Sequence, residues 1–136
     1  MMPWDLWLLA AAALHAGFQL TVTAVVYPAL VHVPADRWAE AHARHSRTIA
    51  PVVALVYGAA LVTCAGATIA DVSTGVLVAD GGTGFSFLVT ALLAAPTHGR
   101  LTPGPDPTLL RRLLLVDRLR LLGAVVALAG AITLVG

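Results

Sequence analysis

Three histidines, His42, His45 and His98, are the residues whose type and spacing best suit chemistry in this chain. An imidazole exchanges protons near neutral pH and also ligates transition metals. His42 and His45 are three residues apart, so on a helix they share a face and can hold a metal ion or a proton between them. In the third interpretation they are structural and bond to nearby backbone. The spacing leaves all three open.

Asp117 and Arg120 form a second candidate pair at the start of the last apolar run. A carboxylate on the packed side of a membrane helix is costly unless it is paired. Its partner is then Arg120, in a pair that extends to the membrane interface, or a histidine or metal ion of the first group. The candidate catalytic residues are His42, His45, His98, Asp117 and Arg120.

The first apolar run carries polar residues at a spacing of four: His15, Gln19, Thr23 and Tyr27. This spacing places them on one helix face, which should point into a bundle. They therefore line a cavity for a lipid-soluble molecule, or His15 is neutral and bonds to Ser86 or Thr90. The candidate substrate-contacting residues are His15, Gln19, Tyr27, Trp38 and Tyr57.

The composition predicts that this chemistry takes place in a membrane. Of the 136 residues, 59% are hydrophobic and 11% are charged, whereas a soluble domain carries roughly 25% charged residues. The mean hydropathy is +0.88. The net charge of +1 argues against nucleic-acid binding. The single cysteine, Cys64, excludes an intramolecular disulfide.

We expect one domain over residues 1–136, an all-α integral membrane protein with a bundle of four transmembrane helices. The predicted spans are Trp4–Val31, Thr48 to Ala70 or Asp71, a third from the turn at Gly81–Gly84 to about His98, and Leu119–Val135. The apolar residues 76–79 are a candidate extension of the third span. The Asp106-Pro107 pair predicts that the last helix starts well before its span.

All eight basic residues are arginines, and they lie in two segments, Arg37–Arg47 and Arg100–Arg120. Four spans place these two segments on the same side of the membrane. The positive-inside rule predicts that these segments are cytoplasmic, with both termini outside a cell membrane. The first segment predicts an amphipathic helix that runs into span 2. Its apolar face comprises Trp38, His42, His45, Ile49, Val52 and Val56. Its polar face comprises Asp36, Glu40, Arg44 and Arg47.

The order of these features resembles the small four-span membrane proteins of the anthrone oxygenase-like family. The matching stretches are residues 25–30, Trp38 with His42, His45, Ser46, Arg47 and Pro51, residues 96–101, and residues 117–120. The resemblance implies a four-helix fold with a site at its cytoplasmic end. It also implies oxygenation of polyketide anthrones to quinones, without an established cofactor. The chain departs from the pattern in having Asp117 where an amide or other polar residue is expected.

Three functional hypotheses follow. The first is a membrane-embedded enzyme acting on an aromatic polyketide, quinone or terpenoid, as an oxygenase or with a histidine-bound transition metal. The second is a metal-independent cyclase or isomerase that uses acid/base chemistry. The third is a non-enzymatic scaffold or partner subunit. The expected partners are the lipid bilayer and a hydrophobic small molecule, and homo-oligomers are compatible with the small residues in the helices.

Overall fold

A computed structural model describes residues 3–136 of the chain. Four long helices account for nearly all of this range, which contains no strand. Helix α1 spans Pro3–Val31, α2 spans Ala35–Ala70, and α3 spans Thr74–Arg100. Helix α4 spans Pro107–Ile132. The predicted all-α bundle is confirmed in this form.

Helices α1, α2 and α3 are each long and apolar enough to cross a membrane. The outer surface of the bundle is apolar as well, with Leu55, Ile69 and Leu92 each at least 68% exposed. Apolar exposure on this scale is typical of a surface that faces lipid. Helix α4 is not among these apolar helices, because its first half carries Arg111, Arg112 and other charged residues.

The boundary predicted for the third span is wrong. Its helix begins at Thr74, after a break at residues 71–73, and Gly81–Gly84 continue the helix instead of forming a turn. The Ser73 hydroxyl caps the helix by accepting a hydrogen bond from the Val76 backbone N–H. The predicted start of α4 is confirmed, because the Asp106 carboxylate accepts bonds from the N–H groups of Thr108 and Leu109.

Helices α3 and α4 form the closest packing in the bundle, and glycines make it possible. A Cβ on Gly82 would lie 2.5 Å from the Ala127 nitrogen and 2.6 Å from the Gly123 oxygen. A Cβ on Gly130 would lie 2.6 Å from the Ala79 nitrogen. The glycines that resemble a turn in the sequence therefore serve backbone-to-backbone contact between helices.

Two helices contain a π-helical segment, Val22–Val26 in α1 and Thr90–Ala94 in α3. Each segment lies shortly before a proline, Pro28 or Pro96. A proline has no N–H to donate and its ring collides with the carbonyl four residues back. Widened turns just before these prolines let both helices continue past the proline, to Val31 in α1 and to Arg100 in α3.

The predicted amphipathic helix is present as the first part of α2. Trp38, His42 and Val56 are buried, whereas Val52 is 42% exposed, so its predicted place on the inner face is wrong. The physical reason is that Val52, like Leu55, lies on the outward side of α2, whereas Val53 between them is half-buried. The predicted polar face is exposed, including Glu40 and Arg44, which form an ion pair at 3.8 Å.

Candidate functional site

His42, His45 and His98 lie together at one end of the bundle, and we call them the histidine cluster. The ring centres of His42 and His98 are 4.5 Å apart with nearly parallel planes, and those of His45 and His98 are 5.4 Å apart. Tyr27 contacts the cluster from α1, with its ring centre 6.0 Å from that of His45. Helices α1, α2 and α3 thus all contribute to one site.

The Nε2 atom of each imidazole in the cluster is buried and has no hydrogen-bond partner in the described chain. Buried polar atoms are nearly always bonded, so three unsatisfied nitrogens at one site are unusual. In the structural interpretation, nearby backbone groups would bond to these imidazoles. No such bond from the described residues is present at the three Nε2 atoms. The cluster retains hydrogen-bonding capacity for a bound molecule.

The geometry does not favour a shared metal ion. The lone pair of an imidazole nitrogen lies in the ring plane, so stacked rings such as His42 and His98 direct their lone pairs side by side and not at one point. Within residues 3–136, no group of three or more His, Cys, Asp or Glu side chains is placed to hold a metal ion. The metal hypothesis for His42, His45 and His98 gains no support here.

Trp38 packs against the histidine cluster. Its ring stacks on that of His42 with centres 5.4 Å apart. Its indole N–H donates to the Leu101 carbonyl at 2.7 Å, and both residues are almost completely buried. This bond ties the start of α2 to the chain just after α3, and so sets the spacing between His42 and His98.

A cavity of about 370 Å³ lies beside the histidine cluster, within the size range of small-molecule sites. Its walls are mostly apolar, and its polar lining comes from hydroxyls, imidazoles and one guanidinium. The lining residues are Phe18, Val22, Tyr27, His42, His45, Ser46, Ile49, Val53, Thr90, Ala94, Ala95, His98, Gly99, Thr102 and Arg120. None of these described lining residues is acidic. The cavity therefore suits an apolar molecule with oxygen atoms.

Asp117 and Arg120 form a buried ion pair at 3.1 Å, with side chains 1% and 4% exposed. The predicted pairing is confirmed, and the pair is buried within the bundle. Asp117 also accepts hydrogen bonds from Gln19 at 2.7 Å and Thr23 at 2.5 Å. These donors take the place of the histidines that the sequence offered as alternative partners.

The ion pair is oriented relative to the cavity. Arg120 lines the cavity, whereas Asp117 is not among the lining residues. The positive end of the pair thus faces the cavity, and Asp117 is not part of the cavity wall. The Arg120 Nε atom is buried without a partner in the described residues, so the guanidinium retains a donor. A carbonyl, phenolate or enolate oxygen is the acceptor that this donor suits.

A chain of hydroxyl groups fixes the other side of Arg120. Thr90 donates to the Ser86 carbonyl at 2.8 Å, so its only proton is used. The 2.7 Å contact between Tyr57 and Thr90 is then a donation from the phenol, and Tyr57 accepts from Arg120 Nη2 at 3.1 Å. This network makes the guanidinium rigid, and it places Tyr57 beside the cavity and not in its wall.

His15 lies deeper in the bundle and is completely buried. Its Nε2 lies 3.4 Å from the Ser86 hydroxyl, and its ring contacts those of Tyr57 and Phe87. This is the interhelical contact that the sequence offered as the alternative to a substrate role. His15 does not line the cavity.

Apart from His15, the structure divides the predicted substrate-contacting residues into two groups. Tyr27 lines the cavity, whereas Gln19, Trp38 and Tyr57 each bond to or stack on a group that lines it or holds Arg120. Several wall residues were not predicted from the sequence as part of a site: Thr90, Ser46 and Thr102, and the apolar residues Phe18, Val22, Ile49 and Val53. A signal was available for Thr90, a polar residue in the apolar run of α3.

No protein-family model, no curated protein and no solved structure matches this chain. The functional interpretation therefore depends on the cavity, the histidine cluster and the Arg120 network.

Proposed function

We propose that this chain is a membrane-embedded enzyme that acts on a hydrophobic small molecule of the aromatic polyketide, quinone or terpenoid class. One observation carries the proposal. A single cavity combines apolar walls, three imidazoles with unpartnered Nε2 atoms, and a buried guanidinium with an unpartnered Nε. Apolar pockets with a few convergent polar groups are typical of sites that bind and transform small molecules.

The reaction type that these groups favour is proton transfer. An imidazole of the histidine cluster removes or supplies a proton at carbon or oxygen of the bound molecule. The Arg120 guanidinium stabilises the negative charge that develops on an enolate or phenolate oxygen. Asp117 is a positioning residue, because it holds Arg120 and does not reach the cavity.

This chemistry suits a cyclase or isomerase directly. It also suits the oxygenase reaction implied by the resemblance, because loss of a proton makes a phenol or enol more electron-rich and hence more reactive towards oxygen. We place both alternatives at the same site and assign the same roles to the histidine cluster and Arg120.

The membrane arrangement is part of the proposal. In it, α4 completes a four-span bundle in the cell membrane, with both termini outside and the arginine-bearing segments in the cytoplasm. The apolar character of three helices and the positive-inside rule support this arrangement. In a Cys64→Ala background, an impermeant thiol reagent applied to intact cells should label Gly136→Cys and spare Gly104→Cys.

The decisive experiment compares small molecules extracted from the source organism with and without this chain. Deletion should cause one hydrophobic compound to accumulate, and the wild-type chain should reverse this. A His98→Ala variant present at the wild-type level should not. His32→Ala is the matched control, because His32 lies outside the cavity lining and bonds through Nδ1 to the Pro28 carbonyl.

Identical extracts from the deletion strain and the wild type would contradict an enzymatic role and favour a scaffold. Full reversal by His98→Ala would contradict the assigned site. The accumulated compound can then be given to purified protein in vesicles that contain a metal chelator. Conversion under these conditions supports the proton-transfer mechanism, and its loss on chelation would contradict it.

A further inference from the structure

The wall of the cavity formed by α2 and α3 is the least closely packed side of the bundle. Helix α1 packs closely against both α2 and α4, and α3 packs closely against α4. The contact between α2 and α3 is much less extensive than these three. We call this contact between α2 and α3 the seam. If a molecule enters the bundle from the side, the seam presents the smallest barrier.

Hydrogen bonds close the seam in the half remote from the histidine cluster, and at the opposite end the Trp38 indole bonds to the Leu101 carbonyl just after α3. The side-chain pairs that join α2 to α3 are Thr68–Asp80 at 2.6 Å, Cys64–Thr83 at 3.7 Å and Tyr57–Thr90 at 2.7 Å. Between Thr90 and the Trp38–Leu101 bond, ring contacts of His98 with His42 and His45 join the described parts of the two helices. Ring contacts can slide apart without leaving a buried donor unpaired.

The cavity reaches the surface at this half of the seam. Ala95 and Gly99 of α3 both line the cavity and are exposed on the outside of the bundle. A Cβ placed on Gly99 would meet nothing within 4 Å. Ser46, half-buried on α2, lines the same cavity. Three small residues of the cavity wall are thus exposed or half-buried on this side of the bundle.

The α3 side of the opening is also loosely tied to the rest of its helix. It follows the π-helical segment Thr90–Ala94, and Pro96 supplies no N–H to the preceding turn. A π-helical turn marks a place where a helix can change direction at low cost. The segment Ala95–Arg100 is therefore tied less firmly to the remainder of α3, and its inner side is held by the buried Thr97 and by the Trp38 bond to Leu101.

We propose that the opening framed by Ser46, Ala95 and Gly99 is a lateral portal, through which an apolar substrate enters the cavity from the surrounding half of the bilayer. This inference rests on the proposed function, since it supplies the route by which a lipid-dissolved substrate reaches the histidine cluster. A lateral route also suits the small, uncharged side chains of these three residues.

The test uses full-length protein in phosphatidylcholine vesicles and the apolar photoprobe 3-trifluoromethyl-3-phenyldiazirine. Val22 lines the cavity and is 2% exposed, whereas Leu14 lies on the same helix and is 49% exposed. Mass spectrometry gives the labelling of Val22 relative to Leu14. In a Cys64→Ala, Gly99→Cys variant, benzyl methanethiosulfonate places a removable plug on the introduced thiol.

We expect the plug to lower the relative labelling of Val22 several-fold and dithiothreitol to restore it. The matched control is Gly81→Cys in the same background, since Gly81 is also exposed, on α3, with open space around its Cβ position. A plug at Gly81 should leave the labelling of Val22 unchanged.

Equal labelling of Val22 with and without the plug at Gly99 would overturn the portal and leave the proposed function intact. The portal is also overturned if a plug on Thr102→Cys blocks labelling while the plug at Gly99 does not, because entry would then come from the aqueous end. Absence of Val22 labelling in the unmodified protein would overturn both proposals, since the cavity would not admit an apolar molecule.

Discussion

Replacing Asp117 by alanine removes the acceptor on which three donors converge. Gln19, Thr23 and Arg120 would each lose a bond, and the buried guanidinium would lose its counter-charge. Breaking a buried ion pair from one side costs about 3–5 kcal/mol, and an interhelical hydrogen bond in a membrane bundle contributes on average about 0.6 kcal/mol. The expected loss in the free energy of unfolding is therefore about 4–6 kcal/mol.

The measurement is reversible unfolding of the protein in lipid bicelles, followed by tryptophan fluorescence and circular dichroism. Asp36→Ala is the control, because Asp36 is exposed, and it should change stability by less than about 0.5 kcal/mol. The loss in stability for Asp117→Asn should lie between those for Asp117→Ala and Asp36→Ala, since the amide oxygen still accepts a bond but carries no charge.

The double variant Asp117→Ala, Arg120→Met tests whether the unpaired charge is the cause. Removing both charges should restore much of the stability lost by Asp117→Ala alone, because the buried guanidinium no longer needs a partner. Losses that simply add, or a single Asp117→Ala variant within about 1 kcal/mol of wild type, would refute the argument. In either case the charge on Arg120 would have to be solvated by groups other than Asp117.

Three further variants test the packing around the site by the same unfolding measurement. Gly82→Leu should cost about 1–3 kcal/mol or more, because its Cβ would lie 2.5 Å from a backbone nitrogen of α4, whereas Gly81→Leu next to it should be nearly neutral. Trp38→Phe should cost about 0.5–1.5 kcal/mol, because the bond to the Leu101 carbonyl is lost. The same variant should weaken the His42–His98 stacking, which NMR would show as a shift of the imidazole resonances. Asp106→Ala should cost about 0.5–2 kcal/mol through loss of the α4 cap, and a neutral result would indicate that water replaces the carboxylate.

Polar residues in the apolar runs were the most reliable predictors. His15 and Gln19 are completely buried, as a spacing of four in a membrane span implies. The reason is simple: a polar side chain has no stable place in lipid, so the interior is its only destination. The inward placement of His42 and His45 followed from a different pattern, their position on the apolar face of the amphipathic helix.

Glycine led to the main error. In a water-soluble protein, Gly81–Gly84 would favour a turn, because glycine adopts turn conformations easily and weakens helices. In this bundle the same residues remain helical, and Gly82 lets α3 approach α4 at backbone distance. A local pattern cannot distinguish these outcomes, because the second depends on Gly123, which faces Gly82 from another helix.

The partners of Asp117 were beyond the sequence for a related reason. Gln19 and Thr23 are 98 and 94 residues away from it in the chain. Spacing identifies the face on which each residue lies, but not the height at which two helices meet. The sequence therefore offered Arg120 or a histidine as the partner, and the structure adds an amide and a hydroxyl from α1.

The π-helical segments explain how apolar helices present polar groups to the cavity. In α1 the buried positions pass from Val22 to Tyr27, and in α3 from Val89 to Ala94, five residues in each case. Five residues of a regular α-helix turn through about 500°, which would place Tyr27 roughly 140° away from Val22 around the helix. The wider π-helical turn reduces that offset, so the inner face continues past each proline. The same shift in α3 carries His98, four residues after Ala94, to the cavity wall.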